Sequence, residues 1–237
     1  QSPKEGMRME QLMLQGNRFS LTIQRKAVKH LILRLKSDSE LTVSAPYFCS
    51  RRDIDQFILS REAWIIQRAQ RLRHQRQIQQ LSAVGQTVTI YGKARRLETD
   101  GTLKRSRMDA ERLILAVKSQ DAAALQQAFD RFARQSLQQE VQRLRPRWDD
   151  VLMKAGLPLP VFRFRRMSSR WGSCVVNRQK ITLNLKLIHY PSACLDAVLW
   201  HEYAHFLVQD HSARFYALIH EAMPDYAARK ALLDGKM

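Results

Sequence analysis

The sequence has little glycine and few cysteines, and each shortage excludes a class of protein. Its 237 residues include eight glycines and three cysteines. No Walker loop occurs, so the chain lacks the glycine-rich signature of phosphate binding. The cysteines, Cys49, Cys174 and Cys194, are too scattered for a Cys-x-x-Cys zinc knuckle and too few for a disulfide framework. A reducing, cytoplasmic location is therefore expected.

Long apolar runs are absent as well. No segment approaches the roughly 18 apolar residues that a membrane-spanning helix needs, and no signal-peptide pattern opens the chain. Hydrophobic residues make up 45% of the sequence, which is ordinary for a globular protein. We expect a protein with a full core and no membrane partner.

Positive charge is in excess, with 40 Lys and Arg against 22 Asp and Glu and a formal net charge of +18. Such a charge favours anionic partners and says nothing about fold. The arginines are dense at 68–76 and 163–170, and no nucleic-acid-binding motif accompanies them. The favoured interpretation is a solvated basic surface. Binding of a nucleotide or of nucleic acid stays an alternative.

One short stretch carries recognisable chemistry, namely His201-Glu202-Tyr203-Ala204-His205. Residues four apart lie on one face of a helix, so His201 and His205 can direct their imidazoles at one ion. This is the H-E-x-x-H arrangement, in which two histidines bind Zn²⁺ and the glutamate acts as general base on a metal-bound water. Histidines without a metal are the weaker alternative, because the helix is apolar enough to be buried and buried ionisable groups need a partner.

His211 is the leading candidate for the third ligand. Metzincins use the same spacing with a glycine three residues after the second histidine, where this chain has Val208. We therefore expect the helix to break later, at Gln209-Asp210, because Asp tolerates the left-handed conformation better than most residues. Glu221 is the fallback ligand, and His220 is expected on a solvated helix face.

The rest of the pattern predicts a mixture of strands and helices, with no internal repeat. Strands are expected within 19–45, including a hairpin at 31–43, and within 86–118, with turns at Tyr91-Gly92 and Asp100-Gly101. Helices are expected from Ser50 to Leu72 and from about Asp121 to Gly156, the second one split at Pro146. Residues 161–166 and 181–187 are predicted strands, the latter forming the floor or edge of a substrate cleft.

A set of motifs in the second half resembles one known family. They are Ser169-Arg170-Trp171-Gly172-Ser173-Cys174, then Ile181-x-Leu183-Asn184, then Pro191, and the histidine motif through His211-Ser212. Together they resemble the YgjP-like metallopeptidase family, which is distantly related to the SprT-like zinc proteases. The resemblance extends over nearly the whole chain, including Val43-Ser44-Ala45-Pro46 and Trp64-Ile65.

The resemblance implies an α+β fold, with a β-rich N-terminal half packed on a compact, zincin-like helical C-terminal half that has a short sheet and an H-E-x-x-H active-site helix. The predicted domains are an N-terminal extension (1–18, the part before Met7 interpreted as an expression remnant), a β-rich subdomain with one helix (19–118) and a zincin-like metallohydrolase subdomain (119–237). The resemblance also implies a zinc site of His201, His205 and His211 with Glu202 as catalytic acid/base. Tyr203 departs from the leucine that is common in the family.

The function expected first is a zinc-dependent metallopeptidase that acts on a peptide or protein substrate. The first alternative is a metal-dependent nucleotide (UTP) pyrophosphatase, a name also attached to the family. The arginines that would then bind phosphate are Arg163, Arg165, Arg166 and Arg170. The second alternative is a non-enzymatic module that associates with nucleic acid and has a structural zinc. Three ligands beside a poised carboxylate favour catalysis, because structural zinc sites usually have four protein ligands.

Candidate substrate contacts are less specific. Arg170, Trp171, Asn184 and Tyr216 are predicted to bind substrate. Arg170, Tyr203 and Tyr216 are candidate donors to a developing oxyanion. Cys174 could approach the metal, although a buried inert thiol is the simpler interpretation.

Overall fold

The computed structural model describes residues 7–79 and 84–235, which form eleven strands and seven α-helices. The chain divides into two compact units, Gln1–Gln77 and Ile78–Met237. The mixed α+β class predicted from sequence is confirmed at this level. Among the described residues, no helix is long and apolar enough to cross a membrane.

The first unit is a four-stranded sheet with two helices. Its strands are β1 (Met7–Leu14), β2 (Asn17–Arg25), β3 (Ile32–Leu35) and β4 (Glu40–Ala45), and its helices are α1 (Arg51–Ser60) and α2 (Glu62–Gln79). The sheet order is β1-β2-β4-β3, in which β2 and β4 are parallel and the outer pairs are antiparallel. The predicted hairpin at 31–43 is confirmed by the antiparallel pairing of β3 and β4.

Local signals explain where the first helices begin and end. Ser50 caps α1 through a reciprocal capping box with Asp53, which satisfies backbone N–H groups at the helix start. The single helix expected from Ser50 to Leu72 is instead divided at Arg61. Apolar side chains alternate along β2 and β4 and meet the inner faces of the helices. This core contains Phe19, Leu21, Leu41, Val43, Ile54, Ile58 and Ile65.

The second unit begins with another four-stranded sheet. Its strands are β5 (Thr87–Ile90), β6 (Lys93–Thr99), β7 (Arg107–Met108) and β8 (Arg112–Leu115), in the order β5-β6-β8-β7. Tyr91 and Gly92 have φ of 49° and 77°, so the predicted turn between β5 and β6 is confirmed. The tight hairpin predicted at Asp100-Gly101 is wrong, because β6 pairs with β8 in parallel and the chain first crosses to β7.

Helices and a small third sheet complete the second unit. They are α3 (Ala122–Leu144), α4 (Pro146–Lys154), β9 (Val161–Arg165), β10 (Gly172–Val175), β11 (Lys180–Asn184), α5 (Ser192–Ala204), α6 (Ala213–Ala222) and α7 (Tyr226–Asp234). Short 3₁₀ helices lie at Val176–Arg178 and Leu185–His189. The predicted start, split and end of the long helix are confirmed: Asp121 caps α3, Pro146 opens α4, and Gly156 adopts a left-handed φ of 68°.

The third sheet corrects two expectations about the strand before α5. Its order is β10-β11-β9, so β11 is the central strand and β10 and β9 are the edge strands. The strand also ends at Asn184, three residues earlier than predicted, and Leu185 to His189 form a 3₁₀ helix. The alternating pattern does not reflect the burial, because Ile181 to Leu185 are all buried, as expected of a strand that is covered on both faces of its sheet.

The division of the chain differs from the three segments expected from sequence. β1 lies inside the predicted extension 1–18, yet it pairs with β2 over its whole length. The sheet of β5 to β8 was assigned to the N-terminal subdomain 19–118. Its buried residues, including Val88, Leu97 and Leu113, instead share one continuous core with α3 and α5, in the second unit.

Candidate metal centre

Helix α5 is buried along most of its length and is fixed by one carboxylate. Asp196 lies one turn inside the helix and is 4% exposed. It accepts hydrogen bonds from Trp148 Nε1 (3.0 Å), Arg229 Nη1 (2.8 Å) and Arg147. These partners belong to α4 and α7, so the carboxylate joins three helices. A buried charge with several donors is stable where a lone one would not be, and the position of α5 is fixed as a result.

The first two histidines lie at the end of α5. His201 is inside the helix, and His205 is the residue that follows it. The backbone N–H groups of Leu207 and Val208 both donate to the carbonyl of Ala204, at 3.0 and 2.8 Å, which closes the last turn. The break expected at Gln209-Asp210 is therefore wrong. The chain already turns at residues 205–207, and Asp210 does not adopt a left-handed conformation.

This early turn brings the third histidine back to the first two. The Nε2 atoms of His201 and His211 are 3.1 Å apart. One ligand atom from each of His201, His205 and His211 lies within 4.8 Å of the others. Two nitrogens bound at about 2.05 Å in a tetrahedral zinc site would be separated by roughly 3.3 Å. The donor set and its spacing therefore fit a divalent ion of the zinc type.

Aromatic residues pack against the histidine cluster. Phe215 of α6 is fully buried, and its ring lies 4.8 to 5.0 Å from each of the three imidazoles. Tyr226, the first residue of α7, is 6% exposed, and its hydroxyl is 2.9 Å from Nδ1 of His201. Sequence reasoning missed Tyr226, since no motif surrounds it and it lies 25 residues beyond His201.

The surroundings of His201 and His205 favour the neutral form of these two imidazoles. Burial, reinforced by the neighbouring His205 and His211, lowers the pKa of His201 to about 3. Burial likewise lowers the pKa of His205, and His211 adds to this, while the backbone at Val208 and Gln209 has the opposite effect. A neutral imidazole offers the lone pair that a metal needs.

Glu202 lies beside the cluster in a close-fitting environment. It is 5% exposed, and burial raises the pKa of its carboxyl to about 8, against the opposing charge of Arg170. Gly172 of β10 lies directly against this side chain. A Cβ atom at position 172 would come within 2.5 Å of Glu202 Oε1. Only glycine at this position allows the carboxylate its observed place.

One cavity of about 690 Å³ contains all four side chains. Three of the predicted substrate contacts, Arg170, Trp171 and Tyr216, also line it. Cys174 lines it as well, and burial, followed by the charge of Glu202, raises the pKa of this thiol to about 12. Such a thiol stays protonated at neutral pH, which agrees with the inert interpretation.

Asn184, a predicted substrate contact, is not among the residues that line the cavity. It is 2% exposed, and its amide donates to the carbonyls of Met167 and Arg170 at 2.9 and 2.7 Å. Its carbonyl accepts from the N–H groups of Met167 and Lys186. Asn184 therefore holds the loop that precedes β10 and carries Arg170.

Several other candidates lie away from the cavity. The Tyr203 hydroxyl donates to Asp149 Oδ1 at 2.6 Å in the core, so it is not placed to stabilise an oxyanion. Glu221 and His220 are exposed and are not part of the histidine cluster. Of the four arginines considered for phosphate, Arg170 alone lines the cavity. Arg166, for example, is paired with Asp130 at 2.7 Å.

Comparison with known proteins gives a family match. The model of the YgjP-like metallopeptidase domain matches residues 29–236, most of the chain. No curated protein matches the chain. A metallopeptidase domain implies a divalent metal, and the three histidines are the cluster able to hold one within the described residues.

Proposed function

Because the chain belongs to the YgjP-like metallopeptidase family, we propose that it is a zinc-dependent peptidase. His201, His205 and His211 hold the metal, and Glu202 is the catalytic acid/base. The observation that supports this most directly is the convergence of three imidazoles beside a buried carboxylate in one cavity. Three protein ligands leave a coordination position open, which is typical of catalytic zinc sites.

The metal supplies Lewis-acid chemistry, since bound zinc lowers the pKa of water from about 15.7 to about 7 and polarises a carbonyl. The protein supplies the proton transfers. Glu202 takes a proton from the attacking water as the water oxygen bonds to the peptide carbon. It then returns the proton to the amine nitrogen as the C–N bond breaks. General acid–base catalysis of this kind contributes roughly 10²–10⁴ in rate.

Burial of Glu202 suits this role. Burial makes this carboxyl a stronger base than an exposed one, and the positive charge of a bound metal would act in the opposite direction and favour the ionised form that accepts the proton. Gly172 allows the carboxylate to lie against the backbone of β10, which fixes its direction. The side chain is therefore oriented by packing before any substrate arrives.

The edge strand β10 suits an extended peptide. It pairs with β11 on one side and lines the cavity through Gly172, Ser173 and Cys174. A substrate strand added to this edge would pass Glu202 and gain backbone hydrogen bonds. Arg170 and Trp171 immediately precede the strand and line the same cavity. They are the proposed contacts for substrate side chains, with Tyr216 on the other wall.

The first test combines metal content and turnover. Glu202→Gln should keep its zinc, measured by elemental analysis, and lose at least 100-fold in casein cleavage. His211→Ala should lose zinc. Glu221→Gln is the matched control, because it removes an exposed carboxylate outside the cluster and should keep both properties. Full turnover in Glu202→Gln would refute the mechanism.

A second test uses the contact between Gly172 and Glu202. Gly172→Ala places a methyl group where Oε1 now lies, so the carboxylate must move. The expected result is zinc content like that of the unsubstituted protein with turnover reduced by about 10²-fold or more. Gly156→Ala controls for lost stability, because its alanine is strained at a φ of 68° but meets nothing within 4 Å, so turnover should be unchanged. Unchanged turnover in Gly172→Ala would show that the direction of Glu202 is not critical.

Hydrolysis of a nucleoside triphosphate is the second candidate. The observation in its favour is that two cations, Arg170 and Lys230, line the cavity and could face phosphates. Parallel incubations with casein and with UTP distinguish the two reactions. Release of pyrophosphate that is lost in Glu202→Gln, with no casein cleavage, would favour the nucleotide reaction. Salt-sensitive DNA binding with neither activity would favour the non-enzymatic alternative.

A further inference from the structure

His201 has a side-chain partner in Tyr226, whereas the partner of His205 is the backbone at Val208 and Gln209. The Tyr226 hydroxyl is 2.9 Å from Nδ1 of His201, and the two rings are nearly parallel, with an interplanar angle of 5°. We propose that Tyr226 is a positioning residue, which fixes the orientation of the His201 ring and accepts its Nδ1–H when Nε2 binds a metal. This inference rests on the proposed function, in which His201 is a ligand.

The two nitrogens of His201 face different partners. Nε2 points into the cluster, 3.1 Å from Nε2 of His211, whereas Nδ1 points to Tyr226. A neutral imidazole has one N–H and one lone pair. When Nδ1–H donates to the phenolic oxygen, the lone pair is on Nε2 and directed at the metal position. Hydrogen bonds of this kind also fix the ring and raise the basicity of the ligand.

Tyr226 is itself held in place by helix α7. Its backbone N–H donates to the carbonyl of Met223 at 3.1 Å, at the start of the helix. About one turn later, Arg229 donates to Asp196 at 2.8 Å and to the carbonyl of Ala193 at 3.3 Å, both on α5. Two contacts on one side of α7 therefore join it to the helix that carries His201. The Tyr226 hydroxyl is therefore held in a fixed position relative to His201.

A purely structural role would give a different result. Tyr226 is 6% exposed, so its ring also contributes to packing. Tyr226→Phe keeps the ring and removes only the oxygen. Tyr91→Phe is the control, because it also removes a hydrogen-bonded tyrosine hydroxyl, which is part-buried, 3.0 Å from Ser136 Oγ and outside the cavity. Both variants lose one hydrogen bond, but Tyr226→Phe alone affects His201.

The experiment is a zinc titration of the metal-free full chain against a competing chelator. Tyr226→Phe should bind zinc 10- to 100-fold more weakly than the unsubstituted protein, the usual effect of removing such a partner. Tyr91→Phe should bind with unchanged affinity. Equal affinities for Tyr226→Phe and the unsubstituted protein would overturn the inference. If the unsubstituted protein binds no zinc, the proposed function fails instead, and the two failures are thus distinguishable.

A measurement on the unsubstituted protein covers the case in which Tyr226→Phe does not fold. In the zinc-loaded chain labelled with ¹⁵N-histidine, the Nδ1–H of His201 should exchange slowly with water, because it is hydrogen-bonded to a buried oxygen. Slow exchange with the downfield proton shift of such a bond supports the inference. Rapid exchange of that proton would overturn it, whatever the activity of the enzyme.

Discussion

The two four-stranded sheets have the same topology, although they belong to different units. In each, a hairpin is followed by two further strands, and the second and fourth strands pair in parallel at the centre. The register also agrees. The residue four positions after the hairpin glycine pairs with the first residue of the fourth strand, Ser20 with Glu40 and Arg96 with Arg112. The structure thus contains a topological repeat that the sequence does not reveal.

The two sheets differ in what they support. The first packs its apolar face on α1 and α2 and has a core of its own. The core of the second is continuous with α3, α5 and α6, and so with the residues behind the histidine cluster. Its hairpin turn also contacts the chain just before α5, since the Tyr91 N–H donates to Ile188 at 2.7 Å. One arrangement of strands therefore serves as an ordinary half-buried sheet in one unit and as the support of the metal centre in the other.

The largest expected effect comes from truncating equivalent core leucines. Leu41 and Leu113 each follow the first residue of the central fourth strand, and both are fully buried. Leu→Ala at either position should cost about 2–5 kcal/mol. Zinc at about 100 times its Kd should restore roughly 2.7 kcal/mol to Leu113→Ala and nothing to Leu41→Ala, because the metal binds the folded second unit.

Urea unfolding followed by hydrogen exchange can resolve the two units. Peptides from 19–45 should show the loss of stability in Leu41→Ala. Peptides from 87–115 should show the loss of stability in Leu113→Ala. Equal rescue of both variants by zinc would show that the units unfold together, and the contrast between the sheets would then not extend to stability.

The next effect is a pH dependence confined to the second unit. His189 is 5% exposed, its Nδ1 is 2.8 Å from the carbonyl of Thr89 in β5, and its ring stacks on Phe129. Burial, with smaller effects from the charges of Arg166 and Lys186, lowers the pKa of His189 from 6.5 to about 4, against the hydrogen bond to Thr89 and the charge of Asp130. His30 in the first unit is exposed.

The sign follows from which state binds the proton first. The unfolded chain protonates near pH 6.5 and the folded chain only near pH 4, so the contribution of His189 is complete above 6.5 and is lost as the pH falls to 4. The loss is on the order of 3 kcal/mol. In urea unfolding at pH 7 and 4.5, His189→Asn should lose less stability on acidification than the unsubstituted protein. His30→Asn should lose as much stability as the unsubstituted protein. Parallel losses in all three would exclude His189 as the source.

Sequence predicted those features that depend on local signals. Asp121, Pro146 and Gly156 determine the bounds of α3 and α4 through capping, a missing N–H and a left-handed φ, and all three were recognised. The four-residue spacing of His201 and His205 also predicted that two imidazoles lie close together, because helical geometry depends on local contacts. The roles of the site residues stay predictions until the variants are measured.

The missed features depend on contacts between distant parts of the chain. Strand order is one of them, since no local signal distinguishes a central β11 from an edge strand, nor a parallel crossover after Asp100 from a hairpin. Tyr226 is another, because its importance comes from meeting His201 across two helices. The run around Gly172 was noticed as a motif. The reason for its glycine, the approach of Glu202, appears only in three dimensions.

The smallest expected effect gives the sharpest comparison, because it uses the same residue in the same turn. Gly16 and Gly92 have φ of 78° and 77° in the two hairpins, so alanine at either position costs about 1–2 kcal/mol of backbone strain. A Cβ at Gly16 would meet nothing within 4 Å, whereas one at Gly92 would lie 3.0 Å from Cγ of Pro191, the residue that precedes α5.

Gly92→Ala should therefore cost more than Gly16→Ala in urea unfolding, and it alone should weaken zinc binding, because the added methyl displaces the start of the helix that carries His201. If Pro191 yields by a few tenths of an ångström without moving α5, the two variants will differ little in stability and not at all in zinc affinity. That result would show that the core beneath the second sheet supports the metal centre and that the hairpin turn does not.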